Sequence, residues 1–116
     1  ADPACNPLGR SCAARDATMV VALALPDTIK PLSPFPVQVH LAGKRAASVE
    51  KVAVSFTMQG MNMGFNRFEL HRRENETWLG EALLPICSMG RRDWRVTVEI
   101  AGNPPYAGEF HLLTGS

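Results

Sequence analysis

From Trp94 to Ile100 the chain alternates without a break: Trp94, Val96, Val98 and Ile100 are apolar, while Arg95, Thr97 and Glu99 are polar. A period of two sends successive side chains to opposite faces, so this run predicts a strand with one face in a core. The same period runs through Val49–Met58, where Val52, Val54, Phe56 and Met58 oppose Lys51, Ala53, Ser55 and Thr57. Val37–Leu41 repeats it, with Gln38 and His40 on the polar side. Met19–Leu25 is a continuous apolar run ended by Pro26-Asp27, and it also predicts a strand. Phe65–Arg73, Thr77–Leu84 and Tyr106–Leu113 complete the set. Between them lie turn signals: Pro31, Pro34 and Pro36, then Gly43, then Glu74-Asn75-Glu76, and Gly102–Pro105. No segment sustains a helical period. About seven short strands with such spacing predict an all-β fold, an antiparallel immunoglobulin-like β-sandwich. The cysteine-tryptophan-cysteine spacing of antibody domains is absent, which leaves the strand order open. Residues 1–17 show no period and are predicted to be an irregular segment before a single domain over residues 18–116.

A chain of 116 residues is the size of one domain. Its 12 basic and 11 acidic residues leave a net charge of +1, which argues against nucleic acid as the main partner, since phosphate binding needs a dense basic face. Arg72-Arg73 and Arg91-Arg92 are read as solvated strand ends. No apolar run reaches the length of a membrane-spanning helix, and the first residues lack the features of a signal peptide. A leader or anchor removed before Ala1 would leave no trace.

Three cysteines occur, Cys5, Cys12 and Cys87. Cys5 and Cys12 are close in sequence and predict a local disulfide, which implies an oxidising compartment. Cys87 is then the remaining thiol. Pairing of Cys87 with Cys5 or Cys12 is the competing arrangement. Catalysis is not expected. Cys87 and His40, His71 and His111 could in principle form a nucleophile and base, but no nucleophile elbow, phosphate-cradling loop or metal-protease histidine pair is present.

The chemistry is concentrated in Phe56–Phe68, which holds Met58, Met61 and Met63 together with Gly60 and Gly64. Thioethers are soft ligands that suit Cu(I), and they are also core filler. Met58 continues the inward face after Phe56, so core packing is its first role and ligation its second. Met61 and Met63 fall in a glycine-flanked loop. Strand counting adds a second loop. The methionine loop joins the third and fourth expected strands, and the loop containing Cys87 and Met89 joins the fifth and sixth. The Pro26–Pro36 connection joins the first two. Odd-to-even connections share one end of a sandwich, so Met61, Met63, Cys87 and Met89 are expected at the same pole, with Met58 beneath them. Thiolate and thioether together select Cu(I). The three histidines are expected on the polar faces, in reserve for Cu(II). Met19, Trp78 and Trp94 are expected in the core, and Asn62, Asn66 and Asp93 in turns and strand entries.

These elements resemble a known group. Met58-Gln-Gly-Met61-Asn-Met63-Gly-Phe-Asn-Arg-Phe, then Thr77-Trp78, then Leu84-Pro85-Ile-Cys87-Ser-Met-Gly-Arg-Arg-Asp-Trp94, is similar to the YtkA-like and FixH-like periplasmic proteins. The resemblance covers about residues 50–110 and implies a β-sandwich, often membrane-anchored, linked to copper handling or to assembly of respiratory oxidases. It assigns the Met-x-Met element to Met61 and Met63, with Cys87 as a further ligand. Many such domains also carry a histidine near the methionine loop; none lies in 58–70 here. The expectation is a periplasmic, non-enzymatic protein holding Cu(I) through sulfur for buffering or transfer to a cuproenzyme or a copper-export or assembly protein. The alternative is a metal-free interaction module or assembly factor for a respiratory membrane complex.

Overall fold

The computed structural model describes residues 5–15, 18–58, 66–85, 93–102 and 105–114. Eight strands occupy them: β1 (Ser11–Arg15), β2 (Val20–Ala24), β3 (Phe35–Ala42), β4 (Lys51–Thr57), β5 (Arg67–Arg72), β6 (Thr77–Ala82), β7 (Asp93–Ala101) and β8 (Tyr106–Leu113). Two short 3-10 turns, Ala46–Ser48 and Glu74–Glu76, are the only helical elements among the described residues. The all-β, antiparallel expectation is met, with eight strands in place of about seven.

The extra strand is β1, in a segment expected to be irregular. Its burial alternates, with Cys12 and Ala14 inside and Ser11, Ala13 and Arg15 outside. Such small residues carry little apolar signal. The strand forms because β2 offers an edge, and the two pair from Ser11↔Ala24 to Arg15↔Val20. A second difference lies at the start of β3, which includes Phe35 and Pro36. Pairing of β3 with β2 stops at Gln38, while pairing with β6 continues through Pro36↔Glu81 to Phe35↔Ala82. Pro36 therefore sits where only one neighbour asks for backbone bonds, a position proline tolerates.

The strands lie in the order β1-β2-β3-β6-β5-β4-β7-β8, every pair antiparallel. β7 returns beside β4 after the run β4-β5-β6, which is a Greek key. The seam is between β5 and β6, which pair only at His71↔Leu79 and Arg72↔Trp78. The single sheet curls, barrel-like, around one apolar core. Phe56, fully buried, meets Phe35 from the other half edge-on at 5.9 Å and Phe68 at 6.2 Å. The sheet nearly closes on itself. β8 comes so near β1 that a Cβ on Gly108 would lie 3.2 Å from that of Ala14.

Two devices hold the seam. Gly80 is forced by close approach, since a Cβ there would lie 2.7 Å from Leu70 Cδ2 and 3.1 Å from the Glu69 carbonyl oxygen. Arg72 lays its guanidinium over the Trp78 ring at 5.1 Å and donates hydrogen bonds to the carbonyls of Val49 and Ala47. An exposed cation thus satisfies loop carbonyls while covering an aromatic face.

Phe56→Ala is expected to lose about 3–5 kcal/mol in urea unfolding, from transfer and cavity terms together. Gly80→Ala is expected to lose about 1–3 kcal/mol, since Leu70 and the β5 backbone must shift. An unchanged midpoint for Gly80→Ala would show that the seam has slack.

Candidate functional site

The site can be built from the strand ends inward. β4 ends at Thr57, paired with Arg95 of β7. Asn66, just before β5, accepts a hydrogen bond through its carbonyl from the Phe56 N–H at 3.0 Å. Met58 and Asn66, the described flanks of residues 59–65, therefore both stand at the end of β4. β7 starts at Asp93, within two residues of the Thr57↔Arg95 pair, so the residue that follows 86–92 stands beside the same strand end. The β2–β3 connection is fastened there too, because the Leu32 N–H donates to the Leu84 carbonyl at 2.9 Å. Register alone thus puts the flanks of all three connections at one end of the sheet.

Below these flanks the core is closed. Met58 is 3% exposed, and Leu84, Trp94, Leu112 and Phe35 are buried in the same cluster. Met58 packs as a core residue, as its alternation with Phe56 requires. Met61 and Met63, in 59–65, and Cys87 and Met89, in 86–92, lie outside the described residues. Cys5 and Cys12 form the expected disulfide, so Cys87 is paired with neither. His40, His71 and His111 are exposed, and His40 Nδ1 shares a hydrogen bond with Thr77 Oγ1 at 3.1 Å. Met19, Trp78 and Trp94 are buried.

A second concavity was not legible in the sequence. It is a groove of about 400 Å³ on the outer face of β5, β4, β7 and β8. Ala53 forms its floor and is only 2% exposed, although it occupies an outward position. Strand register sets Glu69 and Glu99 on either side of it. Arg67 pairs with Glu99 at 3.3 Å, and the Ser55 hydroxyl donates to the same carboxylate at 3.3 Å. The one available signal was an alanine among polar outward residues. The convergence itself depends on register, which a single sequence does not state.

Among the described residues no group of three or more His, Cys, Asp or Glu side chains is arranged to hold a metal ion. Comparison with protein-family models, with characterised proteins and with solved structures returns no match. Nothing in the described side chains or in the comparisons indicates enzymatic activity.

Core packing of Met58 has a direct test. Met58→Leu is expected to stay within about 1.5 kcal/mol of the parent protein in urea unfolding, and Met58→Ala to lose about 2–5 kcal/mol. A neutral Met58→Ala would remove it from the core.

Proposed function

We propose that this protein is an immunoglobulin-like β-sandwich of the periplasm that holds Cu(I) through the sulfurs of Met61, Met63, Cys87 and Met89 and passes it to a cuproenzyme or a copper-export or assembly protein. Support for the architecture comes from the strand order. With β2 to β8 lettered A to G, the sheet reads A-B-E-D-C-F-G, the order of an immunoglobulin domain, and β1 is added outside strand A.

The observation that carries the metal reading is the Thr57↔Arg95 register. It sets the flanks of the two sulfur-bearing segments side by side, over a floor already closed by Met58, Trp94 and Leu84. The Cys5–Cys12 disulfide supports an oxidising compartment, where a thiol retained at Cys87 is better protected as a metal ligand than free. Transfer would proceed by ligand exchange, a partner's thiolates or thioethers replacing those of this chain one at a time.

The metal-free interaction module has its own support. Leu32 stands on the β2–β3 connection at this same end, 59% exposed and with a left-handed φ of 60° that leucine rarely adopts. An apolar side chain held outward in this way suits a docking contact.

Anaerobic Cu(I) titration against a chelating competitor separates the two. The wild type is expected to retain one copper, and Met61→Ala/Met63→Ala to lose it, with unfolding midpoints unchanged. Equal retention in wild type and double variant, or none in either, would overturn the copper reading. Partner capture that survives chelation and Cys87→Ser but fails in Leu32→Ser would establish the interaction module.

A further inference from the structure

The segment from Cys5 to Arg10 contains no strand, yet it fastens three of them at one end of the sheet. The Cys5–Cys12 disulfide ties it to β1. The Leu25 N–H, just past β2, donates to the Pro7 carbonyl at 3.2 Å, and the Gly9 N–H donates to the carbonyls of Leu25 and Pro26, each at 3.1 Å. Leu8 forms a parallel bridge with Leu25. Across the gap, Asn6 reaches β8: its Nδ2 donates to the Leu113 carbonyl at 2.9 Å, and its Oδ1 accepts from the Leu113 N–H at 3.1 Å. The same Oδ1 accepts from the Leu8 N–H at 3.3 Å, which fixes the side chain's direction.

Asn6 therefore offers β8 one donor and one acceptor, the pair a residue of a neighbouring strand would supply. β8 is the last strand of the sheet and pairs only with β7 among the described strands. β1, the strand nearest its open edge, pairs only with β2. The Asn6 side chain is thus a hydrogen-bonded link across the gap. Both of its bonds to Leu113 are exposed, where water competes well for such partners. The link needs the segment to be held in place, and the covalent hold is the disulfide beside it.

We infer that Cys5–Arg10 is a redox-sensitive clasp: the Cys5–Cys12 disulfide keeps Asn6 on the edge of β8, and reduction by a dithiol releases it and opens the β1–β8 gap. One thiolate of the reductant attacks Sγ of Cys5, the more accessible sulfur, since Cys12 is 3% exposed. The S–S bond breaks, and Cys12 leaves as a thiolate and takes up a proton. The reductant's second thiolate attacks the mixed disulfide, Cys5 leaves and is protonated, and the reductant ends as a disulfide. Two electrons and two protons reach the protein.

The rest of the sheet stays folded. β1 keeps its five-residue pairing with β2, and the buried core cluster spans both halves of the sheet, with Cys5 and Leu8 of the clasp packed against its margin. The clasp also sits where the methionine and Cys87 segments join the sheet, since Leu113 pairs with Asp93. It stands whether or not that end binds copper.

Amide hydrogen exchange on the full chain, without metal, tests it. Dithiothreitol is expected to speed exchange at Gly9, Leu25 and Leu113 by about tenfold or more while the amides of β4 and β7 keep their protection. Asn6→Ala with the disulfide intact is expected to do the same at Leu113 and Leu8, the two amides its Oδ1 accepts from, while Gly9 and Leu25 keep their protection. Three outcomes would overturn the clasp. Protection at these amides could survive reduction. Exchange could rise across the whole sheet, which would make the disulfide a staple of the entire fold. Leu113 could remain protected in Asn6→Ala.

Discussion

The contact of Phe56 with Phe35 and Phe68 is the interaction on which the rest depends. Each half of the sheet has one apolar face that cannot stay in water, and neither half can cover its own. Phe56 sits on β4, in the middle of one half, and meets Phe35, at the start of β3 in the other. Edge-on aromatic packing adds to the area it buries. Once these rings interlock, the sheet must turn at the weak β5–β6 seam, where pairing is shortest and Gly80 permits the closest approach. Arg72 over Trp78 then closes the core near that seam.

The proposed sulfur site follows from that geometry. The curled sheet brings the end of β4, the start of β7 and the β2–β3 connection to one end. Tight core packing below leaves Met58 no freedom to serve as a mobile ligand. The flanks of the two sulfur-bearing segments are held by strands, as the proposed exchange of a soft cation requires. The disulfide-tied segment from Cys5 to Arg10 belongs to the same end, so the proposed metal site and the proposed clasp would share one end of the sheet.

Much of the fold was legible because inward faces announce themselves by alternation. β4, β7 and β8 were read with nearly their observed bounds, and Met19, Met58, Trp78 and Trp94 were placed in the core, where they lie. β1 was missed for a physical reason. Cys12 and Ala14 are too small to produce a hydrophobic signal, and their strand exists only because β2 offers a partner. Pro36 misled in the opposite direction, reading as loop while standing in a strand at a place where one neighbour is missing. Of the candidate site, strand counting expected Met61, Met63, Cys87 and Met89 at one pole; the described flanks of their segments lie at one end, while the four residues themselves lie outside the described residues. The groove over Ala53 stayed invisible, because nothing in one strand says which residues of the next will stand beside it.

The sequence by itself determined the class of structure: strands, antiparallel connections and a single core; it favoured a local Cys5–Cys12 disulfide over pairing with Cys87, and the folded chain decided between them. Periodicity and short-range spacing are local properties, and local steric and solvation rules act on them directly. Only the tertiary structure decided the strand order, the register that puts Thr57 opposite Arg95, and the reach of Asn6 to Leu113. Those depend on contacts between residues distant in sequence, chosen by which whole arrangement buries the most apolar surface while leaving the fewest backbone groups unpaired. Phe56 shows the division. Its alternation with Val54 and Met58 said that it faces inward, and the folded sheet alone said that Phe35 and Phe68 are there to meet it.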